Sequence, residues 1–200
     1  MSHQPRNILT DRQLVDQVLG GDMHAFSTII KTTEGLVAQI VYKLISNEED
    51  RKDMAQDIYL KVFHHLKGFK FQSKLSTWVA QIAYNTCLNR LQKKQVPLYV
   101  PPDGGWEWME RGRRYAVPGA TEETDGVLLK KELNNLLQAE IGRLPPLYQT
   151  LIGLYHQEDL SYRSIGQITG LPDGTVKSYL FRARKMLKES LLSNYKKEKL

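Results

Sequence analysis

The sequence predicts an all-α protein of two small helical domains joined by a flexible linker, the C-terminal domain being a helix-turn-helix. Apolar residues recur at spacings of three and four along most of the chain and nowhere alternate for long. Residues 96–125 differ, with four prolines and four glycines, and this composition is typical of a linker. Near the C-terminus, a short helical pattern is followed by a glycine-containing turn and a basic helical pattern, in the order of a helix-turn-helix.

Helical spacing begins in the N-terminal half. Apolar residues recur at three- and four-residue intervals between positions 14 and 45, and we expect Gly20–Gly21 and Gly35 to interrupt the helices there. The acidic run at the start of segment 47–68 suits the N-terminus of a further helix, because acids are favourable at that end of the helix dipole. Another helix is expected from about Lys74 to Lys94.

The segment 53–66 divides into two faces. The face predicted to be buried holds Met54, Ala55, Ile58, Tyr59, Val62, Phe63 and Leu66. The other face holds Asp53, Gln56, Asp57, Lys61 and His64, with Leu60 among them. A leucine within a mostly acidic stripe indicates either an interface with a basic protein surface or a solvated face with one stray leucine. Periodicity does not decide between these two interpretations.

The stretch from Lys67 to Lys94 carries six basic residues and no acid. Its residues expected to face the core are Leu75, Trp78, Val79 and Ile82. Two aromatic rings lie in the preceding loop, Phe69–Lys74, and Asn85, Asn89 and Arg90 follow on the helix. Rings and amides among cations suit single-stranded DNA, whose bases stack and whose phosphates need neutralising. The alternative is that Phe69 and Phe71 anchor the loop in the core.

Residues 96–125 are predicted to link two domains, residues 8–95 and residues 126–200. The linker contains six acids and three arginines, which give it a net charge of −3. A stretch of this length is too long for an idle loop inside one compact domain. It also holds Trp106 and Trp108, which either pack against a domain or dock on a partner.

The C-terminal half is predicted to consist of helices joined by short turns. One helix is expected over about 126–143, and Pro145 suits the first turn of the next helix, where a missing N–H costs nothing. Ser161 is a candidate N-cap for a short helix that ends at Gly170, a candidate left-handed C-cap. After a turn, a long helix is expected from about Thr175 into the tail.

This last helix has an apolar back and a basic front. The residues on its apolar side are Val176, Leu180, Ala183, Leu187 and Leu191. The opposite side holds Lys177, Ser178, Arg182, Arg184, Lys185 and Lys188, with Phe181 in its middle. Such a front suits the DNA major groove, where cations bind phosphates and guanine edges and an aromatic ring contacts thymine methyls. An ordinary surface helix, the alternative, does not explain a phenylalanine among cations.

Composition excludes several classes of protein. No apolar run approaches the roughly 20 residues of a membrane span, and the N-terminus has no apolar segment of a secretory signal, so a cytoplasmic protein is expected. The single cysteine, Cys87, excludes a disulfide framework. Without a phosphate-binding loop, zinc spacing or a nucleophile elbow, we expect no catalytic residues, metal, cofactor or small-molecule substrate. The net charge of +6 favours an anionic partner.

Several motifs resemble those of the sigma-70 family, specifically its ECF (extracytoplasmic function) sigma factors. Gly21–Phe26 is similar to the opening GD..AF of that family, and Asp53–Phe63 resembles D-L-x-Q-E-V-F-L-K-V-W. Leu75–Asn85 resembles F-x-T-W-L-x-x-I-A-x-N. The segments similar to the second domain of the family are Leu144–Pro146, Leu160–Ile165, Gly174–Ser178 and Arg182–Arg184.

The resemblance implies a promoter-specificity factor whose first domain binds the β′ clamp helices of core RNA polymerase and melts the −10 element. Its second domain would place a helix in the −35 element and contact the β flap, and the acidic linker would enter the RNA-exit path. The implied core-polymerase-binding residues are Asp53, Gln56, Asp57 and Leu60. The implied −10 residues are Phe69, Lys70, Phe71, Gln72, Ser73, Lys74, Asn85, Asn89 and Arg90. The implied −35 residues are Thr175, Lys177, Ser178, Phe181, Arg182 and Lys185.

The family is often held inactive by an anti-sigma factor, commonly membrane-bound, so such a partner is expected as well. The chain departs from the family pattern at five positions. Arg51 and Lys52 replace small and acidic residues, Ser164 replaces a glutamate of the helix cap, Gly166 an alanine and Tyr179 an arginine. An alternative function is a free-standing helix-turn-helix regulator with an N-terminal sensor or dimerisation domain. The basic stretch 67–94 counts against it, because a sensor domain needs no second DNA site.

Overall fold

The computed structural model describes residues 9–93 and 125–198, and helices are the regular secondary structure throughout those residues. The predicted linker, including Trp106 and Trp108, lies almost entirely outside the described residues. The chain divides into two compact units, one of residues 1–94 with 166–170 and the other of residues 95–165 with 171–200. Each unit is described below by itself.

The first unit contains four α-helices and a short 3₁₀ turn. These elements are α1 (Asp11–Leu19), α2 (Met23–Leu44), α3 (Glu48–His65), the 3₁₀ turn (Leu66–Gly68) and α4 (Leu75–Lys93). A capping box between Thr10 and Gln13 starts α1. Asp22 caps α2 by accepting hydrogen bonds from the backbone N–H groups of His24 at 2.8 Å and Ala25 at 3.3 Å. The expected break before α2 is therefore confirmed, and Gly21 provides it with a φ of +97°.

The expected break at Gly35 is wrong, because α2 continues through that residue to Leu44. A glycine in a helix interior costs about 1 kcal/mol relative to alanine. Burial of apolar residues on both sides of it, Ile29 before it and Leu36, Ile40 and Leu44 after it, outweighs that cost.

The core of the first unit lies around α2 and α4, which share its most extensive helix–helix contact. Its most deeply buried side chains include Ile29, Ile40, Ile58, Val62, Val79, Ala80, Ala83 and Cys87. Where α2 meets α3, the hydroxyls of Thr33 and Tyr59 are hydrogen-bonded at 3.0 Å. The Thr33 hydroxyl also donates to the carbonyl of Ile29 at 2.7 Å, so the polar groups at this junction are paired.

The buried faces of α3 and α4 differ from the predicted ones. On α3, Met54, Ile58 and Val62 are buried, whereas Phe63 is 40% exposed and meets Phe26 edge to face at 5.1 Å. On α4, Leu75 and Val79 are buried, while Trp78 and Ile82 are half-buried. The buried surface of α4 also includes Ala80, Ala83 and Cys87, because this helix packs against both α2 and α3.

The second unit contains α5 (Asp125–Gly142), α6 (Pro146–His156), the first turn of α7 (Tyr162–Thr169) and α8 (Asp173–Glu198), while residues 166–170 group with the first unit. The proline expected in the first turn of α6 is Pro146 rather than Pro145, which is the N-cap. Gly170 ends α7 in the left-handed region, with a φ of +74°, as predicted. The last helix begins at Asp173, two residues before the predicted start, because Asp173 is an acid in the first helical turn.

The core of this unit forms between α6 and α8, which share its largest contact. The predicted apolar back of α8 is confirmed, since Val176, Leu180, Ala183 and Leu187 are buried and Leu191 is half-buried. On α6, which packs against α8, Tyr148, Leu151 and Leu154 are fully buried. The opposite side of α8 is thereby fixed toward solvent.

Candidate protein-binding and nucleic-acid-binding surfaces

The acidic stripe on α3, defined as Asp53, Gln56, Asp57 and Leu60, lies wholly on the outside of the first unit. Leu60 is 58% exposed, although leucine gains free energy by leaving water. Among the described residues, no hydrogen-bonding or ion-pair partner engages the carboxylates of Asp53 and Asp57. The stripe therefore presents two free negative charges around one exposed apolar side chain.

Two cations near this stripe, Lys61 and Arg51, are engaged in other contacts. Lys61 directs its ammonium toward Thr86 on α4, where Nζ lies 3.3 Å from the hydroxyl. Arg51 turns back to the end of α2, donating to the carbonyl of Ile45 at 2.7 Å and stacking its guanidinium 4.1 Å from the Tyr42 ring centroid. Arg51, one of the positions that depart from the family pattern, thus joins α3 to the end of α2 and does not neutralise the acidic stripe.

The −10 loop, defined as Phe69–Lys74, connects the 3₁₀ turn to α4. Phe69 is 7% exposed and packs against Trp78 at 5.1 Å between ring centroids, so its burial favours the anchor interpretation. Phe71 is 36% exposed and lies 4.7 Å from the Phe69 ring. Of the polar loop residues, Lys70, Gln72 and Lys74 are exposed and Ser73 is half-buried. The loop therefore combines one buried ring with an exposed ring and exposed cations.

The polar residues predicted on α4 lie at a distance from this loop along the helix. Asn85 and Asn89 are exposed, and at 1.5 Å of rise per residue they lie about 15 and 21 Å beyond Leu75. Gln81 is also exposed, and it sits four residues before Asn85 on the same side of the helix. Gln81 was not among the predicted site residues, although the i, i+4, i+8 spacing of the three amide side chains is a recognisable signal in the sequence. Together the three amides form a polar track leading away from the loop.

Arg90, at the end of the same helix, is already engaged. Its guanidinium forms a 3.1 Å ion pair with Asp50 in the first turn of α3, and about half of its side chain remains exposed. An exposed pair of this kind contributes about 0–1 kcal/mol. Such a pair can be exchanged for a nucleic-acid phosphate at little cost, so Arg90 remains available to DNA.

The basic front of α8 is exposed as predicted. Lys177, Ser178, Phe181 and Lys185 are exposed, with Phe181 at 67%, and Thr175 is half-buried. The Ser178 hydroxyl donates to the carbonyl of Gly174 at 2.9 Å. No acidic residue occurs between Asp173 and Glu189. This front therefore presents a large apolar ring within an entirely positive surface.

The predicted open position of Arg182 is only partly correct. Arg182 is half-buried, and its guanidinium lies 5.9 Å from the ring centroid of Tyr179. Tyr179 in turn meets the buried Tyr148 ring at 5.7 Å. Burial raises the pKa of the Tyr148 phenol, and the nearby Arg182 acts in the opposite direction. The aromatic residue at 179, where the family commonly has arginine, thus draws Arg182 toward the core side of the helix.

A second arginine of this helix is also held by aromatic neighbours. The Arg184 guanidinium lies 4.9 Å from the Tyr155 ring, and its Nε donates to Nε2 of His156 at 3.2 Å. Tyr155 stacks on Tyr162 at 5.1 Å. Burial, with the Arg184 charge in second place, lowers the pKa of His156 below its ordinary 6.5. The histidine is therefore the neutral acceptor of this cluster at pH 7.

The described residues offer no metal centre and no membrane-crossing helix. No group of three or more His, Cys, Asp or Glu side chains within residues 9–93 and 125–198 could hold a metal ion. None of the helices in those ranges is both long and apolar enough to cross a membrane. Cys87 is fully buried, and burial raises the pKa of its thiol to about 12. It is a packing residue and not a nucleophile.

Two sequence families match this chain. Residues 29–96 match the family described as Sigma-70 region 2, and residues 134–187 match the family described as Sigma-70, region 4. The chain is 31% identical over 181 residues to the ECF RNA polymerase sigma factor SigW of Bacillus subtilis (strain 168), which covers 90% of this chain and 96% of SigW. It is also 31% identical over 182 residues to the ECF RNA polymerase sigma-E factor of Escherichia coli (strain K12), covering 90% and 93% of the two chains.

Solved structures show the same fold. CnrH, in complex with the cytosolic domain of CnrY, is similar with a TM-score of 0.62 at 21% identity, over 92% of this chain and 97% of that one. The sigma factor RpoE of Bartonella quintana, in complex with the anti-sigma factor NepR, is similar with a TM-score of 0.61 at 21% identity, over 83% and 96%.

A sigma-70 region 2 followed by a sigma-70 region 4 defines a transcription initiation factor of the sigma-70 class. Because its curated relatives match over nearly their whole length, the chain belongs to the ECF RNA polymerase sigma factors. It is a promoter-specificity factor that works with core RNA polymerase and promoter DNA. The free-standing regulator is not favoured, because region 2 occupies the segment which that alternative assigned to a sensor domain.

Proposed function

We propose that the promoter-specificity function is divided between three domain segments: residues 8–95 for core polymerase and the −10 element, 96–125 as linker, and 126–200 for the −35 element. The observation that carries the proposal is the front of α8. Phe181 is 67% exposed there, surrounded by lysines, while the opposite side of the helix is buried. A helix fixed by its apolar back and exposing cations and an aromatic ring suits the major groove.

On that helix, the residues proposed to contact the −35 element are Thr175, Lys177, Ser178, Phe181, Arg182 and Lys185. Lys177 is a free cation for phosphates and guanine edges, and Lys185 forms only an exposed 4.0 Å ion pair with Glu189 that a phosphate can replace. Phe181 is the apolar contact for a thymine methyl. Arg182 needs to leave the Tyr179 ring before it can reach DNA, whereas Lys177 does not. We therefore assign the first phosphate contacts to the lysines.

The acidic stripe on α3 is the proposed contact with core polymerase. Its partner is expected to be a basic surface with an apolar depression, because the stripe offers two free carboxylates around Leu60. The resemblance to the family assigns this surface to the β′ clamp helices. The C-terminal unit is proposed to contact the β flap as well.

The −10 loop is the proposed site that captures an unpaired base, and the polar track on α4 follows it. Phe71 supplies an exposed ring for stacking, and Lys70 and Lys74 supply charge for the phosphates. Asn85, Asn89 and Arg90 are proposed to contact the strand further along. The buried Phe69, included among the predicted −10 residues, is proposed to support the loop from behind.

An anti-sigma factor is the proposed regulator. The acidic stripe and the basic fronts are exposed in the free chain, so a partner that covers either of them blocks assembly or promoter binding. The relatives of similar fold include the sigma factor RpoE, which was solved with the anti-sigma factor NepR. Because its partners are core polymerase and DNA, we place the protein in the cytoplasm and propose that it acts without catalytic residues, cofactor or metal.

Reconstitution with core RNA polymerase tests this function. With core enzyme, the chain is expected to co-elute, to select a promoter from a randomised library and to direct run-off transcription from it. Alone, it is expected to bind duplex DNA weakly. The three exposed lysines at 177, 185 and 188 predict a log–log salt slope of about −2.7, and thus roughly a 40-fold loss in affinity between 50 and 200 mM salt. Tight, sequence-specific binding by the free chain would contradict the proposal.

A further inference from the structure

The first turn of α1 contacts the −10 loop and the residue directly after it, although they are far from α1 in sequence. The Oδ2 atom of Asp11 accepts a hydrogen bond from the backbone N–H of Leu75 at 2.7 Å, across 64 residues. The guanidinium of the next residue, Arg12, lies 4.8 Å from the ring centroid of Phe71. One turn of α1 therefore contacts both the middle of the loop and the start of the helix that follows it.

The contact from Asp11 replaces a local helix cap. Leu75 is the first residue of α4, and the N–H groups of a first helical turn have no partner within their own helix. The residue directly before α4 is Lys74, whose side chain has no acceptor with which to cap the helix. Asp11 accepts from the first turn instead, and its negative charge is favourable at a helix N-terminus. The point at which the loop becomes α4 is thus fixed by α1.

The contact from Arg12 acts on a strained residue. Phe71 has a φ of +55°, in the left-handed region, which is unfavourable for a bulky side chain. Such a conformation persists where surrounding contacts over-determine it. The contacts available to the Phe71 ring are the Phe69 ring at 4.7 Å and the Arg12 guanidinium at 4.8 Å. Without Arg12, only one of these two contacts would hold the strained conformation.

We infer that Asp11 and Arg12 are positioning residues for −10 recognition, because together they hold the loop in the conformation that selects an unpaired base. This inference rests on the proposed function of the −10 loop. The two residues act through the loop and do not themselves read the base. Base selectivity at the −10 element therefore depends on α1, a helix that carries none of the predicted −10 residues.

The test measures base selectivity in the assembled holoenzyme. Fluorescent single-stranded oligonucleotides carry the −10 element selected by the wild-type holoenzyme, or the same element with the captured base replaced. The readout is the ratio of the two affinities. A variant that is merely destabilised lowers the amount of active holoenzyme and leaves this ratio unchanged, whereas a misplaced loop lowers the ratio itself.

For Asp11, the substitution Asp11→Ala is expected to lower the ratio about five-fold, since losing a helix cap has an effect of that order. Asp11→Asn keeps an acceptor oxygen and is expected to retain the ratio within about two-fold. Asp16→Ala is the matched control, because it removes an exposed carboxylate from the same helix and is expected to change nothing. An unchanged ratio in Asp11→Ala, when Gln72→Ala lowers it, would overturn the role of Asp11.

Replacing Arg12 by methionine distinguishes a positioning role of this residue from a role in phosphate binding. Arg12→Met keeps a side chain able to pack on the Phe71 ring but removes the charge, and is expected to retain the ratio. Arg12→Ala is expected to lower it about three-fold, an effect of the size of a cation–π contact at an exposed site. If both variants instead bind both oligonucleotides more weakly, with the salt slope reduced by about one, Arg12 is a phosphate contact and its positioning role is overturned.

Loop variants separate this inference from the proposed function. Phe71→Ala and Gln72→Ala are expected to lower the ratio at least as much as Asp11→Ala. If neither does so, the loop does not read the −10 base, and the inference fails together with the proposed function.

Discussion

Replacing Leu60 by aspartate tests whether the acidic stripe on α3 is an interface. The side chain is 58% exposed, so Leu60→Asp is expected to leave the fold intact. A surface substitution away from caps and buried networks usually changes the free energy of unfolding by no more than about 0.5 kcal/mol. Helix content and the thermal midpoint should therefore match those of the wild type. Binding to core polymerase, in contrast, should weaken strongly.

The expected loss of affinity for core polymerase follows from the exposed area of Leu60. A leucine at 58% exposure leaves roughly 100 Å² of mostly apolar surface in water, which contributes about 2.5 kcal/mol if a partner covers it completely. Because about 1.4 kcal/mol corresponds to a factor of ten in affinity, losing this contribution weakens binding about 70-fold. A third carboxylate buried beside Asp57 adds like-charge repulsion, so this figure is a lower bound for Leu60→Asp. The affinity of Leu60→Ala for core polymerase is expected to lie between those of Leu60→Asp and the wild type.

Fluorescence anisotropy of labelled protein titrated with core RNA polymerase gives the dissociation constants. Leu19→Asp is the matched control, because Leu19 is 52% exposed in the same unit and lies outside the acidic stripe. Asp57→Arg is expected to abolish binding by charge reversal, again with unchanged helix content. If Leu60→Asp binds core polymerase within about three-fold of Leu19→Asp, the leucine is not covered by the partner and the stripe is merely solvated.

Three further predictions concern other parts of the chain. Lys177→Ala should weaken promoter binding evenly and reduce the salt slope by about one, whereas Phe181→Ala should lose about 1–3 kcal/mol at one −35 position in competition over a randomised element. His156 has a lowered pKa and is neutral in the fold, so stability is retained above pH 6.5 and is lost as the pH falls toward the folded-state pKa. The thermal midpoint should drop between pH 7.5 and 5.5, and less so in His156→Gln. The Cys87 thiol, with a pKa of about 12, should react with a thiol reagent only as fast as the chain unfolds.

The order and type of the helices could be predicted from the sequence because apolar spacing reports directly on burial. The back of α8 is the best case, since Val176, Leu180 and Leu187 fall on one arc and are all buried. The C-cap at Gly170 was equally predictable, because the left-handed conformation there favours glycine. Local chemistry decides features of this kind, so a single sequence contains them.

Features that depend on a competition between local conformational preference and tertiary packing could not be predicted. Gly35 is a helix breaker by its own preference, but packing along both halves of α2 outweighs that preference. Helical periodicity places Arg182 on the solvent side of α8, but its side chain is long enough to lie toward the Tyr179 ring. In both cases the neighbouring residues that determine the conformation cannot be identified from helical angle or residue type alone.

The contacts between α1 and the −10 loop show why sequence analysis is weakest at the functional site itself. Asp11 and Arg12 have no periodic signal, because each acts on a residue roughly 60 positions away and only after the fold has formed. A motif-based prediction finds the residues that face the DNA, since their types follow from its chemistry. It does not find the residues that hold those side chains in place, since an acceptor for one N–H group can come from any part of the chain. For this sigma factor, the strained φ of Phe71 is the structural feature that draws attention to its supporting contacts, because strain of this kind requires support from outside the loop.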